Sequence, residues 1–377
     1  MQKPKLQWIT QESDSIGNAY GYASHNREMR RSSAEYIDID DEAPVALTIV
    51  PADKFIRVPG KINVLFTMFE TTDLPTNYMK AINAADAIIV PCKFCRDLFK
   101  RYTTKPIYIC HEGVNPDIYR YHKRRPPASG EKFRFLWCGA ANPRKGYPVI
   151  LEAIKVFEAF ENVEIYLKTT VKKTSWWDTV KLSWKNRDEI FKKSEYAKDV
   201  RKAMIRSWQR MPKKSNADAL RKYGKNDNVI FDSRKLPLDD LIALYNSAHC
   251  FVLPSFGEGW GLTLCEAMAT GAPAISIEAT GCAEFFDDTV GYPIKWDKKD
   301  IRLENYELVT QCHIPDTVDC IDQMFHVIKN YDKALKKGKK ASERINSKFT
   351  WDQAGQRLGE IIKEIYARQL ESEVANV

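Results

Sequence analysis

The stretch from His249 to Ile277 constrains the fold of this chain more than any other. His249 to Pro254 is a short apolar run, and Ala274-Ile275-Ser276-Ile277 is a second one. Both read as buried strands. Between them lie a glycine-rich loop, Ser255 to Gly261, and a helical segment from Leu262 to Thr270. Gly271 supplies its stop signal, and Pro273 lies just beyond. The order strand, glycine-rich loop, helix, strand belongs to α/β proteins with parallel sheets.

That order suits an anionic ligand. Gly257, Gly259 and Gly261 permit a tight turn and close backbone approach. The amides of Leu262 and Thr263 would open the helix and present unpaired donors at its positive end. Two carboxylates flank this place: Glu258 in the loop and Glu266 two turns into the helix. Carboxylates accept paired hydroxyls, and vicinal diols are what sugars and riboses offer. An anion site with a carboxylate at each end predicts a nucleotide-sugar.

The run Pro254-Ser255-x-x-Glu258-Gly259-x-Gly261-Leu262-x-x-x-Glu266-Ala267-Met268-Ala269-x-Gly271-x-Pro273 resembles the retaining nucleotide-sugar glycosyltransferases of family four. The resemblance is specific from Leu253 to Ile275. It implies the GT-B architecture, an α/β fold of two Rossmann-like domains facing across a cleft. It implies a donor site of Gly17, Glu258, Gly259, Trp260, Gly261, Leu262, Thr263 and Glu266. It also implies a metal-independent reaction, with a UDP- or GDP-sugar as co-substrate and no cofactor.

A second match to the family is Cys138-Gly139-Ala140-Ala141-Asn142-Pro143-Arg144-Lys145-Gly146, after the strand-like Lys132 to Cys138. Arg144 and Lys145 at a strand–helix junction suit a diphosphate, one as a fork and the other as a point charge. With Glu258 they form the expected catalytic set. The family often places a further Arg where Ala140 stands, so Arg144 carries more of the charge here.

The length of 377 residues and a hydrophobic content of 44% fit two domains with sizeable cores. We expect an N-terminal, acceptor-side domain over 1–124 and a nucleotide-sugar domain over 125–350. A helix over 351–377 is expected to return to the first domain. No run approaches the length of a membrane span, and Met1 to Leu6 lacks a hydrophobic signal core, which predicts a cytoplasmic protein. Nine scattered cysteines fit reduced thiols. Cys92-x-x-Cys95 lacks a second ligand pair, and Asp38-x-Asp40 reads as a solvated strand end, so no metal site is expected.

In the first domain, Lys5 to Thr10, Glu35 to Ile39, Val45 to Val50, Ile62 to Phe69, Ala87 to Pro91 and Pro106 to Cys110 read as strands. Gly17 and Asn18 lie in the loop after the first, and the family resemblance sets this loop near the donor phosphate and the acceptor. Ligand crevices in open α/β sheets lie at the carboxyl ends of strands. Glu70, Asp73 and His111 are therefore acceptor-side candidates together with Asn18. Asp73 equally suits the N-cap of a helix over Asn77 to Ala85. Gly281-x-x-Glu284 resembles a structural turn of the family.

A long insertion, 170–227, interrupts the second domain. It holds 17 Lys plus Arg against 7 Asp plus Glu, a net +10, within a chain of net +8. Trp176, Trp177, Trp184 and Trp208 lie in it. It reads as a solvated helical hairpin, as an anionic membrane-surface patch, or as a nucleic-acid grip. The acceptor is accordingly expected to be a glycan, a lipid-linked sugar or a hydroxylated DNA base. The rival reading is a basic nucleotide- or nucleic-acid-binding protein without transfer activity.

Overall fold

Short apolar runs between polar turns build two parallel sheets in the computed structural model of the protein. The structure describes residues 2–9, 20–169, 196, 228–303 and 306–375. Gly17, Asn18 and, apart from Tyr196, the insertion over 170–227 lie outside them.

The first sheet holds β1 (Lys5–Ile9), β2 (Asp38–Ile39), β3 (Val45–Ile49), β4 (Ile62–Phe66), β5 (Ala87–Val90) and β6 (Ile107–Ile109), in the order β2-β1-β3-β4-β5-β6. Helices α1 (Tyr20–Ser33), α2 (Thr76–Ala84) and α3 (Lys93–Phe99) connect its strands. Strand β2 is shorter than the sequence suggests, because Glu35 and Tyr36 belong to the turn leaving α1.

The second sheet holds β7 (Phe133–Cys138), β8 (Val163–Lys168), β9 (Val229–Asp232), β10 (Cys250–Leu253), β11 (Ala274–Ser276) and β12 (Tyr292–Pro293). Its order is β12-β11-β10-β7-β8-β9. Numbered within the domain this is the doubly wound 3-2-1-4-5-6 order, which reverses between β7 and β10. Helices α4 (Tyr147–Phe157), α5 (Leu238–Ser247) and α6 (Leu262–Ala269) belong to this domain. An antiparallel hairpin follows, β13 (Trp296–Leu303) and β14 (Leu308–Pro315), which the sequence reading did not anticipate. Helices α7 (Thr317–Lys329), α8 (Tyr331–Lys348) and α9 (Trp351–Ala375) complete the chain.

The two-residue period of a strand decides which core each side chain enters. Val64, Phe66 and Ile89 face a core shared with α9, while Leu65, Ile88 and Val90 face the opposite layer. Helix α9 follows the second domain in sequence but buries Trp351, Leu358, Ile361, Ile362 and Ile365 against the first sheet. Thr350 starts it, accepting the Gln353 N–H on Oγ1 at 3.2 Å. Burying each such aliphatic side chain contributes roughly 1.5–3 kcal/mol.

Arg124, in the segment joining the domains, is buried without a carboxylate partner among the described residues. Its guanidinium donates to the carbonyls of Tyr245, Ala248 and Thr270 at 2.8, 2.8 and 2.6 Å. Those carbonyls end α5 and α6, so two negative helix termini supply the counter-charge. Burial still lowers the Arg124 pKa to about 10.

Candidate active site

The reversal between β7 and β10 opens a crevice at the carboxyl ends of the strands, and two loops meet there. The loop after β7 makes a single turn over Pro143–Lys145, closed by the Asn142 side chain accepting the Lys145 N–H at 3.1 Å. The loop after β10 runs from Pro254 to Gly261. The Phe256 N–H stitches them together, donating to the Arg144 carbonyl at 2.6 Å.

Glu258 lies at the centre and is 4% exposed. Lys145 Nζ approaches its two carboxylate oxygens at 2.6 and 2.8 Å, and the Ser255 hydroxyl donates to it at 2.8 Å. Arg144 Nη1 lies 3.5 Å from the same carboxylate and 3.3 Å from Glu70 of the first domain. Burial pushes the Glu258 carboxyl up, but the Lys145 and Arg144 charges outweigh it and hold the group below its ordinary range. Burial likewise opposes the Arg144 charge, and Glu70 and Glu258 overcome that cost.

Gly261 precedes α6 with φ +102°, a left-handed conformation that side chains resist. It turns the chain so that the first amides of α6, those of Leu262 and Thr263, begin the helix beside the crevice. Gly257 and Gly259 allow the first domain to touch this loop. A Cβ at Gly257 would collide with the Glu70 carbonyl, and one at Gly259 with the Met68 side chain.

Glu266 lies apart from this cluster, deeper along α6. It is only partly covered by area yet sits in a crowded recess, accepting the Tyr245 hydroxyl at 2.8 Å. Burial raises its pKa to about 7 against the help of Tyr245 and Tyr119, with Glu28 and Glu112 adding like charge from the first domain.

The acceptor-side candidates separate. Glu70 faces Arg144 across the crevice. Asp73 is occupied by Arg101, at 2.6 Å, and by the hydroxyls of Thr72 and Thr310. It does not cap α2, whose N-cap is Pro75. His111 stacks on buried Trp260 with centroids 5.2 Å apart, and its Nε2 lies 3.6 Å from Glu284. Glu284 also accepts the Lys93 N–H at 2.6 Å, so the turn from Gly281 ties the second domain to the start of α3 in the first.

Sequence reasoning missed two partnerships. Tyr119 and Tyr245 frame Glu266, and His25 Nδ1 lies 3.2 Å from Glu112 Oε1 in full burial behind the crevice. No local spacing signals either, because each pair joins distant segments. A cavity of about 720 Å³ at the opposite, N-terminal edge of the second sheet is lined by His122, Lys123, Arg134 and His249. Two of its cations are already engaged: Arg134 with Glu164, and Arg125 with Glu131. It is a poor rival to the crevice.

Known proteins resemble the chain in sequence locally and in fold throughout. Residues 211–301, which include the glycine-rich loop and α6, match the family described as glycosyl transferases group 1. The serotype-specific mannosyltransferase WbdA of Escherichia coli is 39% identical over 82 residues, 21% of this chain and 10% of that protein. The O-antigen chain mannosyltransferase B of Escherichia coli is 43% identical over 53 residues, 14% of each chain. The matches therefore span a small part of these relatives. Among solved structures, HepE of Anabaena, in complex with UDP and glucose, superposes with a TM-score of 0.61 at 12% identity, covering 96% of this chain and all of that one. Sucrose-phosphate synthase of Thermosynechococcus elongatus gives 0.58 at 15% identity, covering 94% and 81%. The structural likenesses show the fold, two Rossmann-like α/β domains as in GT-B proteins, and the sequence matches show that residues 211–301 are similar to part of known glycosyltransferases.

Proposed function

We propose that the protein is a retaining, metal-independent glycosyltransferase that moves a hexosyl group from a UDP- or GDP-sugar to a hydroxyl of a glycan or lipid-linked glycan. The observation that carries this reading is the convergence of Arg144, Lys145 and Glu258 beside the N-terminus of α6. As the glycosidic bond to the diphosphate breaks, negative charge grows on the leaving group. Arg144, Lys145 and the first amides of α6 are set to stabilise it. These cations supply the charge that a divalent ion supplies in other transferases. Glu258 would hold hydroxyls of the transferred sugar, and Glu266 those of the ribose.

Retention follows if the acceptor hydroxyl attacks from the leaving-group face, since the carboxylate nearest the donor, Glu258, is bound by two cations. To take the acceptor proton, Glu70 is favoured over Asp73 and His111, because it faces Arg144. Asp73 and His111 are held by other side chains. The mannosyltransferase relatives favour a polysaccharide acceptor. The net +10 of residues 170–227 favours duplex DNA as the rival.

The test is release of free nucleoside diphosphate from a panel of UDP- and GDP-sugars in the presence of oligosaccharide or duplex DNA. Glu258→Gln should lose transfer by at least about 100-fold, in the range of removing one stabilising group from a reaction centre. Unchanged transfer by that variant would remove Glu258 from the mechanism. No release from any donor by the unaltered chain would leave the binding-protein reading.

A further inference from the structure

The hairpin formed by β13 and β14 joins the two loops on which the proposed function rests. At its root, the His313 N–H donates to the Phe256 carbonyl at 3.1 Å, two residues before Glu258. Farther out, the Thr72 N–H donates to the Gln311 carbonyl, the Gln311 N–H to the Thr72 hydroxyl and the Asp73 N–H to the Thr310 hydroxyl, each at 3.1 Å. Near the turn, Tyr306 meets the rings of Phe69 and Tyr78 at 5.7 and 6.1 Å. Glu70 sits within the segment so held, Phe69 on one side and Thr72 on the other.

The hairpin thus presents a first-domain carboxylate to a second-domain guanidinium. Glu70 Oε1 lies 3.3 Å from Arg144 Nη1. A guanidinium shared by carboxylates of both domains has limited capacity for a third anion. The donor diphosphate needs the same face of Arg144.

We propose that Glu70 is an internal competitor for the donor diphosphate, held on Arg144 by the hairpin and displaced when a nucleoside diphosphate group arrives. The inference rests on the donor site proposed above. Donor loading then frees a carboxylate on the acceptor side of the cleft, and the hairpin sets how strongly the two sites are linked. Such linkage is reciprocal: whatever pulls Glu70 off Arg144 from the acceptor side favours donor binding equally.

The experiment is calorimetric titration of the full chain with UDP and with GDP, for the unaltered protein, Glu70→Gln, Thr310→Val and the double variant. Glu70→Gln should bind the recognised nucleotide about two- to fivefold more tightly, the range set by a partly exposed ion pair. Thr310→Val should tighten binding less, and should add nothing once Glu70 is Gln. A residue with a merely structural role would weaken binding when altered. Equal or weaker binding by Glu70→Gln, with the unaltered chain binding normally, would overturn the competition. Additive effects of the two substitutions would overturn the role given to the hairpin. Failure of the unaltered chain to bind either nucleotide would overturn the donor site and this inference together. Gln keeps the shape of the side chain, and an unchanged melting temperature verifies the fold.

Discussion

Lys145 Nζ bridges both carboxylate oxygens of Glu258, at 2.6 and 2.8 Å. A lysine in a strand–helix turn and a glutamate in a glycine-rich loop, 113 residues apart, pair at the point where the second sheet reverses, the carboxylate buried and the ammonium half-buried. The pair is mutually satisfied without a ligand. A donor that inserts a diphosphate here exchanges one anion for another rather than filling a bare cationic hole.

Removing the ammonium should therefore harm the fold as well as the chemistry. Lys145→Met leaves Glu258 buried with only Arg144 and Ser255. We expect a loss of about 2–3 kcal/mol of stability, somewhat below a fully buried broken pair because Lys145 is 21% exposed. Urea denaturation followed by circular dichroism measures it. A change under about 0.5 kcal/mol would show that the pair is not worth its burial.

Glu266 predicts a pH dependence of opposite sign to an ordinary carboxylate. Its pKa rises from 4.5 to about 7 on folding. The folded state then binds the proton more tightly than the unfolded chain. Its stabilising contribution is full below about pH 4.5 and is lost as pH rises through about 7. Glu266→Gln should gain on the wild type by about 1–3 kcal/mol between those limits. Melting temperatures of the two proteins at half-unit pH steps test this. Parallel curves would mean that Glu266 titrates normally.

The Arg124 clamp should be sensitive to shape and not only to charge. Arg124→Ala strips one donor from each of three carbonyls at the ends of α5 and α6, of which Thr270 keeps the His122 N–H and Tyr245 the Ala248 N–H, and we expect a loss of about 2 kcal/mol. Arg124→Lys should recover less than half of that, because the hydrogens of an ammonium leave one nitrogen, whereas Nε, Nη1 and Nη2 of Arg124 each reach a different carbonyl. Full recovery by lysine in guanidinium denaturation would contradict the geometry.

Contact between the domains through Glu284 offers a further check. Glu284→Gln keeps an acceptor for the Lys93 N–H but weakens the pairing with His111. Glu284→Ala removes both. Alanine should cost about 1 kcal/mol, as for a lost helix cap, and glutamine less. Hydrogen exchange of the Lys93 amide should rise in the alanine variant alone. Equal exchange in all three proteins would show that the cap is not made.

How much of this was legible beforehand varied by element. Residues 249–277 carried their structure openly, because each strand is a compact apolar run and the glycines mark the turn. The β13–β14 hairpin gave no such signal. Trp296–Leu303 is mostly charged and mostly exposed, so its pairing comes from backbone ladders rather than a buried face. The link between Glu70 and Arg144 was equally hidden. Both residues were named as site candidates, but nothing in a linear order states that two domains press these loops together. Glu284 was legible as structural, while its partner Lys93, 191 positions earlier, was not.

Helix α9 has one more consequence. The sheet of the first domain takes part of its cover from a helix encoded after the second domain. Trp8, Leu47 and Phe66 share their core with Trp351, Leu358 and Ile362, so that core is complete only once residues 351–365 are present. Completion of the first domain thus depends on a segment that lies beyond the second domain in sequence.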